Sequence, residues 1–302
     1  MIHFYLNSEK LKAMSANAGK KKIKVTKIYD LDFPNEFLND PDQDKLDVKL
    51  TEAMLNIIRA GDIKSKTASF VVDHSKIPFR EMLLPAGTPA KLSPIIKGEL
   101  FTDKKMAEAN TVDYIEVERN VNQDKQSRVL VTYMDNTIID NLKKCCKDVG
   151  MGLKSINIQQ NCLTKLVNFM KEELPENFML VDYRVTYTTT YLFSKGEHIF
   201  SMTKSIFSVP SESFANETAF FINDISLQLS DAMSFFLSKY DNARFDTIFV
   251  TGSTFLFEPC LPQISSMLNR TVKLLPKPEK IEGVGIHEFN DYSSLIGSLV
   301  KK

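Results

Sequence analysis

The sequence predicts an α/β protein made of two similar halves, and three observations lead to this. Residues 178–207 read as a meander of three strands whose first strand is apolar and ends at Asp182. Residues 2–31 repeat the same strand-turn-strand layout. Each meander is followed by a segment with helical periodicity, 44–60 in the first half and 213–240 in the second.

The composition is typical of a soluble globular protein. The chain has 302 residues, 43% hydrophobic and 25% charged, a length that predicts two domains. Its formal charge is zero, which argues against a nucleic-acid or anionic-membrane partner. No apolar run approaches the roughly 18 residues of a spanning helix, and the first residues lack a signal-peptide core. We therefore expect a cytoplasmic protein.

Cysteine and histidine spacing gives no metal or disulfide signature. The four cysteines lack paired ligand spacing and two of them are adjacent, which favours reduced, partly buried thiols over a zinc site or a disulfide. The four histidines are scattered, which favours structural or exposed roles over catalytic ones. The residues are Cys145, Cys146, Cys162, Cys260, His3, His74, His198 and His287.

In the first half, the strands over 2–6, 10–14 and 22–31 lead into a helix over 44–60, with Gly61 where a helix C-cap is expected. The face that this helix should bury consists of Leu46, Leu50, Ala53, Met54 and Ile57. A strand over 66–73 follows.

The proline-bounded segment 77–85, IPFREMLLP, then leads to a second helix around 92–101. Its apolar residues favour a core or subdomain contact, with a partner surface as the alternative.

Residues 111–158 are predicted to form a small ββαβ unit. Its strands are 114–119, 128–134 and 153–158, and its helix is 136–149. About fifty residues are few for independent stability, so we expect an insertion that packs on the first half. A helix over 161–174 then leads to the central meander.

The second half continues with the helix 213–240, whose buried face should consist of Phe221, Ile225, Leu229, Ala232, Phe236 and Tyr240. A buried-type strand, 246–251, runs into Gly252. Pro259 and Pro262 suit the first turn of another helix. A strand over 271–275 and a closing helix over 291–300 complete the chain.

Three short segments resemble the nucleotide-binding loops of a known superfamily. Residues 5–12, YLNSEKLK, match a first phosphate loop of the approximate form DIGSSSLK, and residues 182–188, DYRVTYT, match a second of the form DIGASTT. Residues 248–253, IFVTGS, match a strand followed by TGG, where one glycine of two remains. With the two halves and a closing helix that contains Gly297, these segments resemble the actin-like ATPase superfamily. Within it the match is to the PilM family of type IV pilus assembly proteins, which are relatives of FtsA.

The resemblance implies an actin-like, RNase H-like fold of two lobes that face each other across a cleft. The first lobe would span 1–110, completed by 159–177 and a C-terminal helix over 286–302. The insertion would be 111–158 and the second lobe 178–285. The resemblance also implies ATP and Mg²⁺ as ligands, with binding weakened or lost. The implied cofactor-binding residues are Asn7, Ser8, Lys12, Asp182, Arg184, Thr186, Gly252 and Ser253, with Asp182 as the metal ligand.

Substitutions in the loops predict that this nucleotide site is degenerate. Asn7 replaces a glycine and is expected to keep the turn, since asparagine tolerates a positive φ. Arg184 replaces the other loop glycine and is either an exposed turn residue or a guanidinium that contacts or stands in for an anion. Tyr5 replaces a carboxylate, so Asp182 is left as the remaining acid of the Mg²⁺-binding pair. A strand-end aspartate such as Asp182 is also a common turn cap.

The function implied by the resemblance is that of a cytoplasmic scaffold of the type IV pilus machine. Such a protein would bind the cytoplasmic tail of a PilN-like inner-membrane platform protein and reach the membrane only through that partner. The assembly ATPase is a further candidate partner. The alternatives are an active ATPase or sugar-kinase-like enzyme, which would need intact loops, and an FtsA-like division protein, which would need an amphipathic membrane helix.

Overall fold

The computed structural model describes residues 1–34, 43–74, 77–85, 87–119, 126–184, 186–206, 215–239, 244–255 and 257–300. The chain forms two compact units, Met1–Ala16 with Thr26–Gln160 and Asn17–Val25 with Asn161–Lys302.

In chain order, the elements up to the boundary between the units are β1 (Ile2–Leu6), β2 (Lys10–Ala18), β3 (Ile23–Asp32), α1 (Gln43–Ala60), β4 (Thr67–Val72), β5 (Arg80–Pro85), α2 (Pro89–Leu100), α3 (Lys104–Ala109), β6 (Asn110–Arg119), β7 (Gln126–Asp135), α4 (Asn136–Asp148), β8 (Gly152–Ile158) and α5 (Gln159–Met170). The remaining elements are β9 (Asn177–Tyr183), β10 (Tyr187–Ser194), β11 (Glu197–Ser205), α6 (Ala215–Lys239), β12 (Thr247–Gly252), α7 (Leu261–Leu268), β13 (Thr271–Leu274), β14 (Ile281–Glu282), α8 (Ile286–Asp291) and α9 (Ser293–Leu299).

The first predicted meander is confirmed and builds the main sheet of the first unit, in the order β3-β2-β1-β4-β8. Strand β1 is antiparallel to β2 and parallel to β4. Every residue of β1 is buried, and Phe4 stacks on Phe70 of β4 with ring centroids 5.2 Å apart. Strand β2 continues to Ala18, beyond the predicted end at Met14.

Helices α1 and α4 pack in the core of the first unit. The predicted face of α1 is buried at Leu50, Ala53, Met54 and Ile57, and the side chain of Leu46 lies outside the described residues. Helix α4 contacts α1 where the Cys145 thiol approaches the Asp47 carbonyl oxygen at 3.5 Å.

The residue with a positive φ is the predicted glycine after α4 but a different residue after α1. Gly150, with a φ of +73°, ends α4 as predicted. After α1 the residue with positive φ is Asp62, not Gly61.

A small sheet in the order β5-β7-β6 carries its own apolar cluster. The IPFREMLLP segment supplies its strand β5, so this segment is a sheet strand rather than a connecting stretch. Its Leu84 packs with Leu92 and Ile96 of α2 and with Val129 and Val131 of β7. The core-contact interpretation of the segment therefore holds for Leu84.

Strand β8 does not join the small sheet, although the sequence groups it with β6 and β7 in one ββαβ unit. It pairs in parallel with β4, and its Leu153 and Ile156 pack against the main core of the first unit. Parallel pairing with β4 buries these two side chains beside α4, and this long-range contact leaves no local signal in the sequence.

The second meander is also confirmed and lies in a sheet of the order β11-β10-β9-β12-β13. The predicted turn is a tight hairpin in which Lys195 (φ 55°) and Gly196 (φ 77°) are both left-handed. Phe178 and Phe193 stack across β9 and β10 at 5.1 Å. Strand β10 is buried from Tyr187 to Phe193, so both of its faces are covered.

Helix α6 covers this sheet with the predicted apolar face. Phe221, Ile225, Leu229, Ala232 and Phe236 are all buried, and Tyr240 lies outside the described residues. The closing helix is divided into α8 and α9. Strand β14 pairs with Ile23 and Lys24, the part of β3 that belongs to the second unit. No helix among the described residues has both the length and the apolar character needed to cross a membrane.

The C-terminal helices and α5 belong to the second unit, whereas the predicted division assigns both to the first lobe. One close contact explains their association. A Cβ on Gly297 of α9 would clash with the Cys162 carbonyl oxygen of α5. The glycine therefore lets the two helix backbones approach more closely than a side chain would permit.

Gly297→Ala is expected to lower the free energy of unfolding by about 1–3 kcal/mol, because the added methyl group forces α9 away from α5. Gly98→Ala in α2 is the matched control, since no atom lies within 4 Å of the added Cβ there. In the control, the higher helix propensity of alanine should stabilise the protein by about 0.5–1 kcal/mol. Chemical denaturation of both variants measures the difference, and equal stabilities would contradict the close-contact argument.

Candidate functional site

The first predicted phosphate loop is the turn between β1 and β2, and Asn7 closes it with its side chain. The Asn7 amide oxygen accepts hydrogen bonds from the backbone N–H groups of Glu9 and Lys10, at 3.0 and 2.7 Å. The Asn7 N–H donates to the Lys10 carbonyl oxygen at 3.2 Å. Asn7 is not among the described residues with positive φ. It keeps the turn as predicted, but by side-chain capping rather than by a left-handed backbone.

Tyr5, which replaces the family carboxylate, donates a hydrogen bond from its hydroxyl group to the Asp73 carboxylate. Both side chains are buried. The Asp73 N–H donates to the Leu6 carbonyl oxygen at 3.0 Å, which joins the ends of β4 and β1. The Asn7 amide N–H group lies 3.4 Å from the Tyr5 hydroxyl oxygen. A buried carboxylate is therefore present beside the first loop, directly after β4 rather than on β1.

Sequence reasoning missed Asp73 as a site residue. The signal was available, because Asp73 follows an apolar strand in the same way that Asp182 does. What the sequence does not show is that β4 pairs with β1, which brings Asp73 to the first loop.

Lys12 and Ser8 differ in their surroundings. Lys12 is 3% exposed, and its ammonium group lies 3.8 Å from an Asp30 carboxylate oxygen. Lys10 shares this partner at 3.2 Å. Ser8 is half-buried in the turn. The predicted phosphate-binding lysine is thus engaged with an acid of its own sheet.

In the second predicted loop, Arg184 forms a buried ion pair with Asp182. The guanidinium lies 3.0 Å from an Asp182 carboxylate oxygen, with exposures of 3% and 0% for the two side chains. It also donates to the Ser294 hydroxyl oxygen of α9 at 3.3 Å. Of the two interpretations of Arg184, the exposed turn residue is wrong, because the side chain turns inward and pairs with the loop carboxylate.

Gly252 lies against this ion pair at the end of β12. Its φ is +92°, and an added Cβ would clash with the Tyr183 carbonyl oxygen. The same Cβ would be 2.5 Å from an Asp182 carboxylate oxygen and 3.2 Å from the Arg184 guanidinium. The neighbouring Ser253 N–H donates to the Tyr183 carbonyl oxygen at 2.9 Å. The space that a glycine would leave for a ligand is filled by protein atoms.

The predicted residues of the second unit fall into two groups. Asp182, Arg184 and Gly252 are brought together, and Ser253 is joined to them through the backbone. Thr186 is exposed beside the hairpin, where its carbonyl oxygen accepts from the Ile206 N–H at 2.9 Å.

Helices α8 and α9 supply site residues that the sequence did not indicate. Ser294 accepts the Arg184 hydrogen bond described above. Asn290 is buried and donates to the Leu275 and Ile286 carbonyl oxygens at 3.0 and 2.9 Å. The backbone carbonyl oxygen of Asn290 accepts a hydrogen bond from the Thr251 hydroxyl group at 3.2 Å. These bonds attach the C-terminal helices to the end of β12, next to Gly252.

Burial shifts the pKa of several titratable groups outside the two loops. Burial raises the pKa of Cys145 to about 11 and that of Cys162 to about 12, so these thiols stay protonated. Burial lowers the pKa of His3 to about 4, and its ring shares a 2.7 Å hydrogen bond with Ser69. Within the described part of the chain, no group of three or more His, Cys, Asp or Glu side chains is arranged to hold a metal ion.

The charged side chains of the second loop are engaged with each other. A phosphate cradle needs a close approach to backbone N–H groups and a carboxylate that holds hydrated Mg²⁺. Here the Asp182 carboxylate has an internal cation as its counter-ion, and the guanidinium covers Gly252. The residues of the second loop therefore fit ATP·Mg²⁺ badly as they stand.

No protein-family model and no curated protein sequence matches the chain, whereas solved structures do. A chain of a PilM–PilN type IV pilus biogenesis complex is similar with a TM-score of 0.80 at 10% identity, over 100% of this chain and 98% of that one. A Bacteroides thetaiotaomicron protein with an actin-like ATPase fold and unknown function is similar at 0.58, with 11% identity over 100% and 95%. The cytoplasmic domain of EpsL, an inner-membrane component of the Vibrio cholerae type II secretion system, is similar at 0.51, with 11% identity over 100% and 95%. The protein has the actin-like ATPase fold, and the predicted resemblance to PilM is confirmed in that fold.

Arg184→Ala is expected to lower the free energy of unfolding by about 3–5 kcal/mol, since it leaves the buried Asp182 carboxylate without its ion-pair partner. Lys204→Ala is the control in the same unit. Lys204 pairs with Asp231 at 3.0 Å, with the two side chains 34% and 60% exposed, so its loss should cost about 1 kcal/mol or less. Denaturant unfolding compares the two, and an Arg184→Ala cost as small as that of the control would refute a structural role for the buried pair.

Proposed function

We propose that this protein is an actin-like scaffold of a type IV pilus assembly machine. It acts at the cytoplasmic face of the inner membrane and binds the cytoplasmic tail of a PilN-like platform protein. The observation that carries the proposal is the fold similarity to PilM in the PilM–PilN complex, which extends over nearly the whole of both chains. The similarity to the cytoplasmic domain of EpsL, an inner-membrane component of a type II secretion system, supports a role beside the inner membrane.

The scaffold works without ATP turnover in this proposal. The buried Arg184–Asp182 pair supports this part, because it neutralises the carboxylate that would hold Mg²⁺ and covers Gly252. In the first unit, the Tyr5–Asp73 hydrogen bond engages the acid beside the other loop. Each loop thus has a buried acid engaged by a partner within its own unit.

The platform peptide binds at the small sheet in this proposal. Leu83 of β5 is 51% exposed, whereas its neighbour Leu84 is buried in the sheet's apolar cluster. Among the described residues, β5 pairs with β7 and no strand lies on its other side. An extended peptide could add to such an edge through backbone hydrogen bonds, with Leu83 as an apolar contact.

ATP·Mg²⁺ should give no phosphate release above background and weak or no heat of binding. A misplaced phosphate-stabilising group commonly costs ~10²–10³ in rate, and two such defects are present here. Calorimetry and a phosphate-release assay on the wild-type protein test this, with Asp182→Ala as the control for contaminating enzymes. Wild-type turnover that disappears in an Asp182→Ala variant shown to remain folded would establish the active-ATPase alternative instead.

Leu83→Asp should weaken binding of the PilN-like cytoplasmic peptide by roughly ten- to a hundredfold. The reason is that losing a central apolar contact costs about 1–3 kcal/mol of binding free energy. Val48→Asp is the matched control, because Val48 is 58% exposed but lies on α1. A deletion of 111–158 would be unsuitable as a test, since it would remove β8 from the main sheet. Fluorescence titration measures both affinities. Binding that is unchanged in Leu83→Asp would exclude the β5 edge, and absence of wild-type binding would exclude the PilN-like partner.

A further inference from the structure

A groove of about 530 Å³ lies beside strand β8 in the first unit. One wall is a face of α4, from which Ile139, Lys143 and Lys147 project at intervals of four residues. The other wall is formed by Met151 and the first residues of β8. The apolar part of the lining consists of Ile139, Met151, Leu153 and Ile156.

The groove runs along an open edge of the main sheet. Among the described residues, β8 pairs with β4, and no strand lies on its other side. Gly152, Lys154 and Ser155 are exposed along it. Alternate backbone N–H and C=O groups of an edge strand point away from the sheet, where they can pair with an added strand. The groove therefore combines an open backbone edge with apolar side chains beside it.

The positive charge of the groove favours an occupant that carries negative charge. Lys143, Lys147 and Lys154 line it, and no acidic side chain does among the described residues. Asp140, which is outside the lining, pairs with Lys143 at 2.8 Å, but the two side chains are 68% and 60% exposed. Such a pair contributes little and is readily exchanged for another carboxylate.

A lone lysine on an edge strand would have a simpler explanation, because natural sheets use edge lysines to prevent unwanted pairing. Lys154 fits that description. The two lysines on α4 do not, since they lie on a helix and converge on the same groove. Three cations beside an open edge indicate a groove that accepts acidic residues, in addition to discouraging apolar strands.

We propose that this groove binds an extended acidic segment of a partner protein, which adds to the main sheet as a strand alongside β8. Apolar residues on one face of the added strand pack against Ile139, Leu153 and Ile156. Carboxylates flanking them pair with Lys143, Lys147 and Lys154. This site is separate from the platform-peptide site at β5 and does not depend on it.

The probe is a fluorescent peptide of about ten alternating valine and glutamate residues, a typical strand length. The comparison peptide has lysine in place of every glutamate. On the full chain at low ionic strength, the acidic peptide should bind at least about tenfold tighter, the combined effect of three exposed ion pairs. Amide hydrogen exchange over 152–158 should slow when the acidic peptide binds, because an added strand protects edge amides.

The triple variant Lys143→Glu, Lys147→Glu, Lys154→Glu should lose roughly tenfold or more in affinity for the acidic peptide. Its control reverses three exposed lysines elsewhere in the same unit, Lys64→Glu, Lys91→Glu and Lys104→Glu, and should bind within about twofold of wild type. The proposal is overturned by any of four results: no binding of the acidic peptide, equal binding of both peptides, unchanged exchange over 152–158, or tighter binding of a single-stranded oligonucleotide. Leu83→Asp, which tests the platform site, should leave acidic-peptide binding unchanged, so the two proposals fail separately.

Discussion

The structure of the second unit depends on the ion pair that Arg184 and Asp182 form out of contact with water. Burying a charge is costly unless a counter-ion and hydrogen bonds compensate for it, so each of these side chains requires the other. The carboxylate comes from the end of β9, and the guanidinium comes from the turn that follows. The guanidinium also reaches Ser294 and covers Gly252. One pair therefore connects the turn between β9 and β10, the end of β12 and helix α9.

The first unit meets the same requirement with different chemistry. Its loop has no arginine, and the buried acid, Asp73, directly follows β4. A tyrosine hydroxyl group satisfies that acid, and Asn7 satisfies the turn. In both loops a buried acid is thus engaged by a side chain of the same unit. In the first unit a neutral donor faces the acid, whereas in the second a full positive charge does.

Much of this fold was predictable because its signals are local. Strand alternation and helical spacing are set by neighbours in sequence, so both meanders and the buried face of α6 were found. The assignments that differed depend on long-range pairing. Strand β8 joins β4 through a parallel contact, and α5 meets α9 through Gly297, neither of which leaves a pattern in nearby residues. Leu84 and Leu83 are adjacent leucines with opposite environments, which composition cannot distinguish.

The sequence located most residues of the candidate site but did not show which contacts their side chains make. The loop motif located Asp182, Arg184 and Gly252, yet the sequence left two orientations open for the arginine. The burial of the Arg184 side chain decides between them, and the buried guanidinium contacts Ser294, more than a hundred residues away in sequence. Asp73 was missed because the motif placed the acid of the first loop on β1. The pairing of β4 with β1 supplies a carboxylate where the motif had lost one.

Because residues of both loops are held by contacts within the chain, a ligand at these loops would contribute less to the stability of the folded loops. A ligand that binds the folded state stabilises it by RT ln(1 + [L]/Kd), about 2.7 kcal/mol at a hundred times the dissociation constant. Contacts made within the chain contribute at any ligand concentration. A loop closed by Arg184 is therefore folded without ATP, and in the proposed scaffold, which binds ATP weakly or not at all, the ATP level has little free energy with which to shift it. A ligand shifts a conformational equilibrium only by its differential affinity for the two states. In the proposed scaffold, that difference has to come from partner proteins, and the open strand edges of the first unit are where the structure offers backbone groups to bind them.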